Sequence, residues 1–161
     1  MWRFKISMFI WLCFSSCILY ADDLHKGFVK LSEGEPEQAI TLWSPLAKAG
    51  DRVAQASLGL LFQSGQGTEI DYSRALELFK KSARQGYPFA FTALGNSFHE
   101  GLGVEKNKQT ALFWFLLAAE HDPNAAFMAQ ALAGELSENL FDLELKKALA
   151  CRASNYIECG F

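Results

Sequence analysis

Apolar residues recur at every fourth position in two stretches that lie 36 residues apart. Ala54, Leu58 and Phe62 form the first set, and Ala90, Leu94 and Phe98 the second. A spacing of four places each set on one face of a helix. Gly65 and Gly67 follow the first helix and Gly101 and Gly103 the second, supplying the positive φ that ends a helix. Asp71 and Asn107 then stand where an N-cap is needed, since their side chains can accept from the exposed amides of a new helix. The next apolar set, Tyr72, Ala75, Leu76, Phe79 and Ala83, again shares one helical face. Gly86 closes that helix and Pro88 starts another.

The offset of 36 holds well beyond these positions. Ala54, Leu58, Gly59, Phe62, Gly65, Gly67, Ala75, Phe79 and Ala83 return as Ala90, Leu94, Gly95, Phe98, Gly101, Gly103, Ala111, Phe115 and Ala119. Upstream, Ala39, Trp43, Ala47 and Gly50 precede Ala75, Phe79, Ala83 and Gly86 by the same interval. A period of this length means stacked supersecondary units that share one core. The expected fold is therefore all-α, an α/α solenoid of helix-turn-helix repeats. Gly59 and Gly95 fall inside helices, where glycine costs about 1 kcal/mol relative to alanine. Their repetition predicts that another helix approaches too closely there for a Cβ.

These residues resemble the Sel1-like repeat, a relative of the tetratricopeptide repeat, whose members follow A-x3-LG-x2-Y-x2-G-x-G-V-x2-D-x3-A-x3-W-x3-A-A-x2-G. The second copy runs Ala90, Leu94, Gly95, Phe98, Gly101, Gly103, Val104, Asn107, Ala111, Phe115 and Ala119, with Phe in place of the usual Tyr and Trp. The resemblance covers about residues 51–122. Upstream, Gly27, Gly34 and Ala39 keep the shorter spacing of an ordinary tetratricopeptide unit. The expected organisation is a short unit over 22–50, full repeats over 51–86 and 87–122, and a degenerate unit with a cap over 123–161. In that last unit Ala126 keeps the period, and a helix over Leu143–Tyr156 serves as the C-terminal cap that solenoids need.

Residues 1–21 do not fit this pattern. Arg3 and Lys5 precede an apolar run from Ile6 to Tyr20, and Ala21 stands before Asp22 and Asp23. A basic start, a short apolar stretch and a small residue make an export signal, and the run is shorter than the ~20 residues that span a bilayer. Cleavage after Ala21 yields a periplasmic or secreted protein with no membrane span, and lipoprotein processing at Cys17 is the alternative. Loss of residues 1–21, which carry Arg3 and Lys5 and no acidic residue, shifts the net charge from −3 to −5. Such a chain does not attract phosphate backbones, so nucleic acid is not an expected partner. Cys13 and Cys17 leave with the signal, and Cys151 and Cys159 remain as a disulfide candidate in an oxidising compartment.

The sequence nominates no catalytic site, cofactor or metal. His25, His99 and His121 lack metal-ligand spacing. Gly65-Gln66-Gly67 and Gly101-Leu102-Gly103 follow a helix rather than a strand and carry no phosphate-binding Lys. Some cysteine-rich Sel1-like proteins are linked to β-lactam binding and hydrolysis, but residues 22–150 contain no cysteine pair of that kind. What the resemblance implies is an adaptor that binds another protein or peptide, with a structural subunit of an envelope machine as a further possibility. Tetratricopeptide-like groove positions, carried over by the Leu-Gly pair, fall on Val53, Ala56, Leu60, Gln63 and Ser64, then on Phe89, Thr92, Asn96, His99 and Glu100. The candidate contacts among them are Gln63, Asn96, His99 and Glu100. A second candidate surface is the run Ala111–Ala119, apolar on all sides, where Phe113 and Leu117 replace Glu77 and Lys81 of the preceding unit. Either the cap helix covers these two residues or they meet a partner.

Overall fold

Asp51, Asp71, Asn107 and Asp122 each accept a hydrogen bond from a backbone amide two or three residues on, and each opens a helix. The computed structural model describes residues 22–157 and 159, and the expected export segment lies outside them. Eight helices follow one another, with no strand among the described residues: α1 over 22–32, α2 Pro36–Lys48, α3 Arg52–Ser64, α4 Tyr72–Ala83, α5 Pro88–Glu100, α6 Lys108–Ala118, α7 Pro123–Glu135 and α8 Glu138–Ala153. Each of α2 to α6 packs on the next, as expected of a helical solenoid.

The core runs along the pairs as a row of aromatic rings seated on glycines. Trp43, Phe79 and Phe115 occupy equivalent positions and are fully buried. A Cβ on Gly59 would lie 2.6 Å from the Phe79 ring, and one on Gly95 would lie 2.6 Å from the Phe115 ring. At Gly27 the same construction meets Trp43 at 2.0 Å. The intrahelical glycines thus have the packing reason expected of them, and the neighbour is the aromatic side chain of the following helix. Trp43 also donates from Nε1 to the Leu24 carbonyl at 3.1 Å, fastening α1 to α2.

The loop glycines do more than end helices. Gly65 and Gly101 close α3 and α5 in the left-handed region, with φ of 71° and 79°. Gly67 and Gly103 lie against the start of the preceding second helix. A Cβ on Gly67 would sit 2.8 Å from the Glu37 amide nitrogen, and one on Gly103 would sit 2.7 Å from the Tyr72 carbonyl oxygen. Each long loop therefore fastens its unit to the one before it.

Three features of the C-terminal third differ from the sequence expectation. First, α7 begins after Asp122-Pro123 as α5 begins after Tyr87-Pro88, which is 35 residues rather than 36. Ala125, Ala129 and Leu132 consequently take the buried places of Ala90, Leu94 and Ser97, and Ala126 is only half-buried. Second, the cap helix starts at Glu138, five residues before Leu143, and stops at Ala153. Third, α8 lies against α6 rather than pairing with α7. That placement explains the apolar run: α6 is enclosed by α5, α7 and α8, and all-round burial requires an all-round apolar surface. Phe113 and Leu117 are 7 % and 2 % exposed, so the exposed patch considered for them does not exist in this fold.

Past Ala153 the chain turns back. Asn155 and Tyr156 adopt positive φ of 54° and 65°. The turn brings Cys159 to within 4.8 Å of Cys151, Cα to Cα, and the two are joined in a disulfide. It also lays the Tyr156 ring on Phe91, 5.2 Å between centroids, and over Gly86, where a Cβ would be 2.5 Å from the ring. Arg152 pairs with Glu120 and ties the end of α8 to the turn after α6.

Candidate partner-binding face

The first helices of the three pairs, α1, α3 and α5, each contribute side chains to a common cleft. Side chains on the buried side of these helices are held by the aromatic row, so the opposite side must face solvent. Phe28, Leu60 and Phe89 are nevertheless exposed there, at 43, 42 and 43 %. With Leu31, Ser57, Trp43 and Tyr87 they line a cleft of about 170 Å³. The Phe28 ring meets Trp43 edge-on at 4.9 Å, and Tyr87 leans on Phe89 at 6.4 Å. Rigid neighbours therefore hold both phenylalanines in place, and water covers what remains.

Further along, the same face becomes polar. Asn96 takes on α5 the place that Leu60 has on α3, and it is exposed. Glu100 is exposed with its carboxylate 3.5 Å from His99 Nε2, while His99 Nδ1 is buried without a hydrogen-bond partner. Gln63 is half-buried. Thr92 is engaged, its hydroxyl donating to Asp122 Oδ2 at 2.8 Å. Glu135, at the end of α7, is held below the usual carboxylate range by its hydrogen bond from Lys108, by the Lys108 charge and, more weakly, by His99.

The four groove candidates Gln63, Asn96, His99 and Glu100 thus share one side of the stack, at its polar end. Phe113 and Leu117 are not on it. The apolar cleft was missed, although the sequence carries its signal: Phe28 and Leu60 each follow the intrahelical glycine that Trp43 or Phe79 packs against.

Two stretches that contribute to this face match a known family model, the Sel1 repeat, at residues 52–87 and 92–123. These two stretches are Sel1 repeats. Helices α1 and α2 precede those stretches, and α7 and α8 follow them. Solved Sel1-repeat structures superpose on the chain. One is a protective antigen from uropathogenic Escherichia coli strains with an SLR fold, at TM-score 0.75 and 23 % identity over 85 % of this chain and 31 % of that one. Another is a Sel1 repeat protein from Oxalobacter formigenes, at TM-score 0.60 and 29 % identity over 67 % of this chain and 46 % of that one. This chain spans less than half the length of either. No curated protein matches it. Sel1 repeats commonly mediate protein–protein interaction.

A larger hollow of about 520 Å³ lies between α6 and α8, lined by Gln109, Thr110, Phe113, Glu144, Lys147, Ala150 and Cys159. Its one buried charge is satisfied within the chain. Glu144 Oε1 accepts from Gln109 and from Lys147, each at 2.7 Å. Among the described residues no group of three or more His, Cys, Asp and Glu could hold a metal ion, and no helix is long and apolar enough to cross a membrane.

Proposed function

We propose that this protein is a non-catalytic adaptor or regulator of the bacterial envelope, holding a segment of another protein on the face of α1, α3 and α5. One observation carries the reading. Phe28, Leu60 and Phe89 remain more than two-fifths exposed, and the three come from successive helices to line one cleft. Exposed apolar clusters rimmed by polar groups are the usual mark of a binding site, and aromatic anchors set in rigid surroundings dominate interface energy.

The test is a photo-reactive residue placed at Leu60 or Ser57 in cells, with one on exposed Glu77 of α4 as control. Crosslinks to a defined partner are expected from the first two positions only. The pair Leu60→Glu with Phe89→Asp is expected to reduce capture at least tenfold while circular dichroism stays that of the folded chain. Unchanged capture by that pair on a folded protein overturns the assignment. Turnover of nitrocefin by the purified protein overturns the non-catalytic part.

The envelope location rests on the basic and apolar pattern of residues 1–20 and on the Cys151–Cys159 disulfide, which suits an oxidising compartment. Intact mass of periplasmic material is expected to show a chain beginning at Asp22. Recovery only from membranes, with a diacylglyceryl mass on Cys17, is the contrary result.

A further inference from the structure

We infer that the segment held on this face is basic: it sets a large apolar side chain into the Phe28–Leu60–Phe89 cleft and a Lys or Arg beside Glu100. The inference rests on the binding face assigned above and adds the charge of its occupant. At the groove positions of α3 and α5 stand Val53, Ala56, Leu60, Gln63, Ser64, Phe89, Thr92, Asn96, His99 and Glu100, with no Lys or Arg among them. The corresponding end of α7 adds Glu135, whose charge Lys108 already balances. Glu100 has no such balance. Its side chain is 56 % exposed and its only charge partner among the described residues is the His99 imidazole at 3.5 Å. The chain from Asp22 onward is acidic, with 18 Asp and Glu against the Lys and Arg left once Arg3 and Lys5 are set aside. A like-charged segment is therefore repelled at the polar end, and an opposite charge gains there.

The geometry sets the spacing. Phe89 in the cleft and Glu100 stand on the same helix, α5, at its two ends. At a rise of ~1.5 Å per residue they are ~16 Å apart along the axis. The anchor and the cation are thus separated by roughly 16 Å, or about five residues of extended chain at ~3.3 Å each.

Short labelled peptides of three designs test this by fluorescence polarisation against the chain beginning at Asp22. One has Trp-Leu anchors with Lys four and five residues away, one is its Glu-for-Lys copy, and one has the anchors replaced by Ser. The Lys peptide is expected to bind roughly tenfold tighter than the Glu copy at low salt, with the gap closing near 0.5 M salt. Glu100→Lys is expected to reverse the preference, and Leu60→Glu to abolish binding of both charged peptides. Equal binding of the two, or no response to Glu100→Lys while Leu60→Glu still acts, overturns the charge inference and leaves the binding face standing. No response to Leu60→Glu, or no binding by any peptide, overturns both. Sedimentation showing a dimer that Leu60→Glu dissociates places a second copy in the cleft and likewise overturns the inference.

Discussion

Truncation of Phe115 to alanine is expected to cost about 3–5 kcal/mol of folding stability, the range for a buried aromatic that leaves a cavity behind. The ring is fully buried and seated on Gly95 in the neighbouring helix. The complementary change is more informative. Gly95→Ala places a methyl 2.6 Å from two ring carbons of Phe115. That overpacking is expected to cost ~1–3 kcal/mol, although alanine is by ~1 kcal/mol the better helix former. In the Phe115→Ala background the ring is gone, so the sign should reverse, and Gly95→Ala should stabilise by up to ~1 kcal/mol. Denaturant titration of the four variants gives the coupling. A cost for Gly95→Ala that is equal in both backgrounds shows that something other than the ring forbids the methyl.

Loss of the Cys151–Cys159 disulfide, by Cys151→Ala with Cys159→Ala, is expected to cost about 2.5 kcal/mol from the closed loop in the chain-entropy model. The loss should exceed that figure, because the same turn carries Tyr156 onto Phe91 and Gly86. The turn is a condition for the bond. A helix continued from Cys151 to Cys159 would hold the two Cα atoms ~12 Å apart, beyond the ~7 Å that a disulfide can bridge. The left-handed Asn155 and Tyr156 reduce that separation to 4.8 Å. Tyr156→Ala in the oxidised protein isolates the packing share, and urea midpoints with and without a dithiol reductant isolate the covalent share. Identical midpoints, or two free thiols on alkylation of periplasmic material, count against a stabilising bridge.

Much of this molecule is legible in one dimension because its contacts repeat in one dimension. The offset of 36 between Ala54–Ala83 and Ala90–Ala119 follows from each unit packing mainly on its neighbours. Helix starts at Asp71 and Asn107 and stops at Gly65 and Gly101 were readable because caps and positive φ are local requirements. So was the close approach at Gly59 and Gly95, since a repeated helix-breaking residue needs a recurring cause. The polar groove candidates Gln63, Asn96, His99 and Glu100 follow from the same register.

What the sequence left open lies where the repetition stops. The run Ala111–Ala119 shows that α6 is surrounded, but whether a partner or the chain's own α8 does this is a long-range choice. The start of α7 slips by one residue because Asp122-Pro123 fixes its first turn, which moves Ala125 rather than Ala126 into the core. Leu60 and Phe89 fall at groove positions in sequence, but apolar character alone does not say that they and Phe28 stay uncovered and meet around one cleft. Only the stacking of three helices decides that, leaving these side chains together around a cleft while Trp43, Phe79 and Phe115 fill the space beneath.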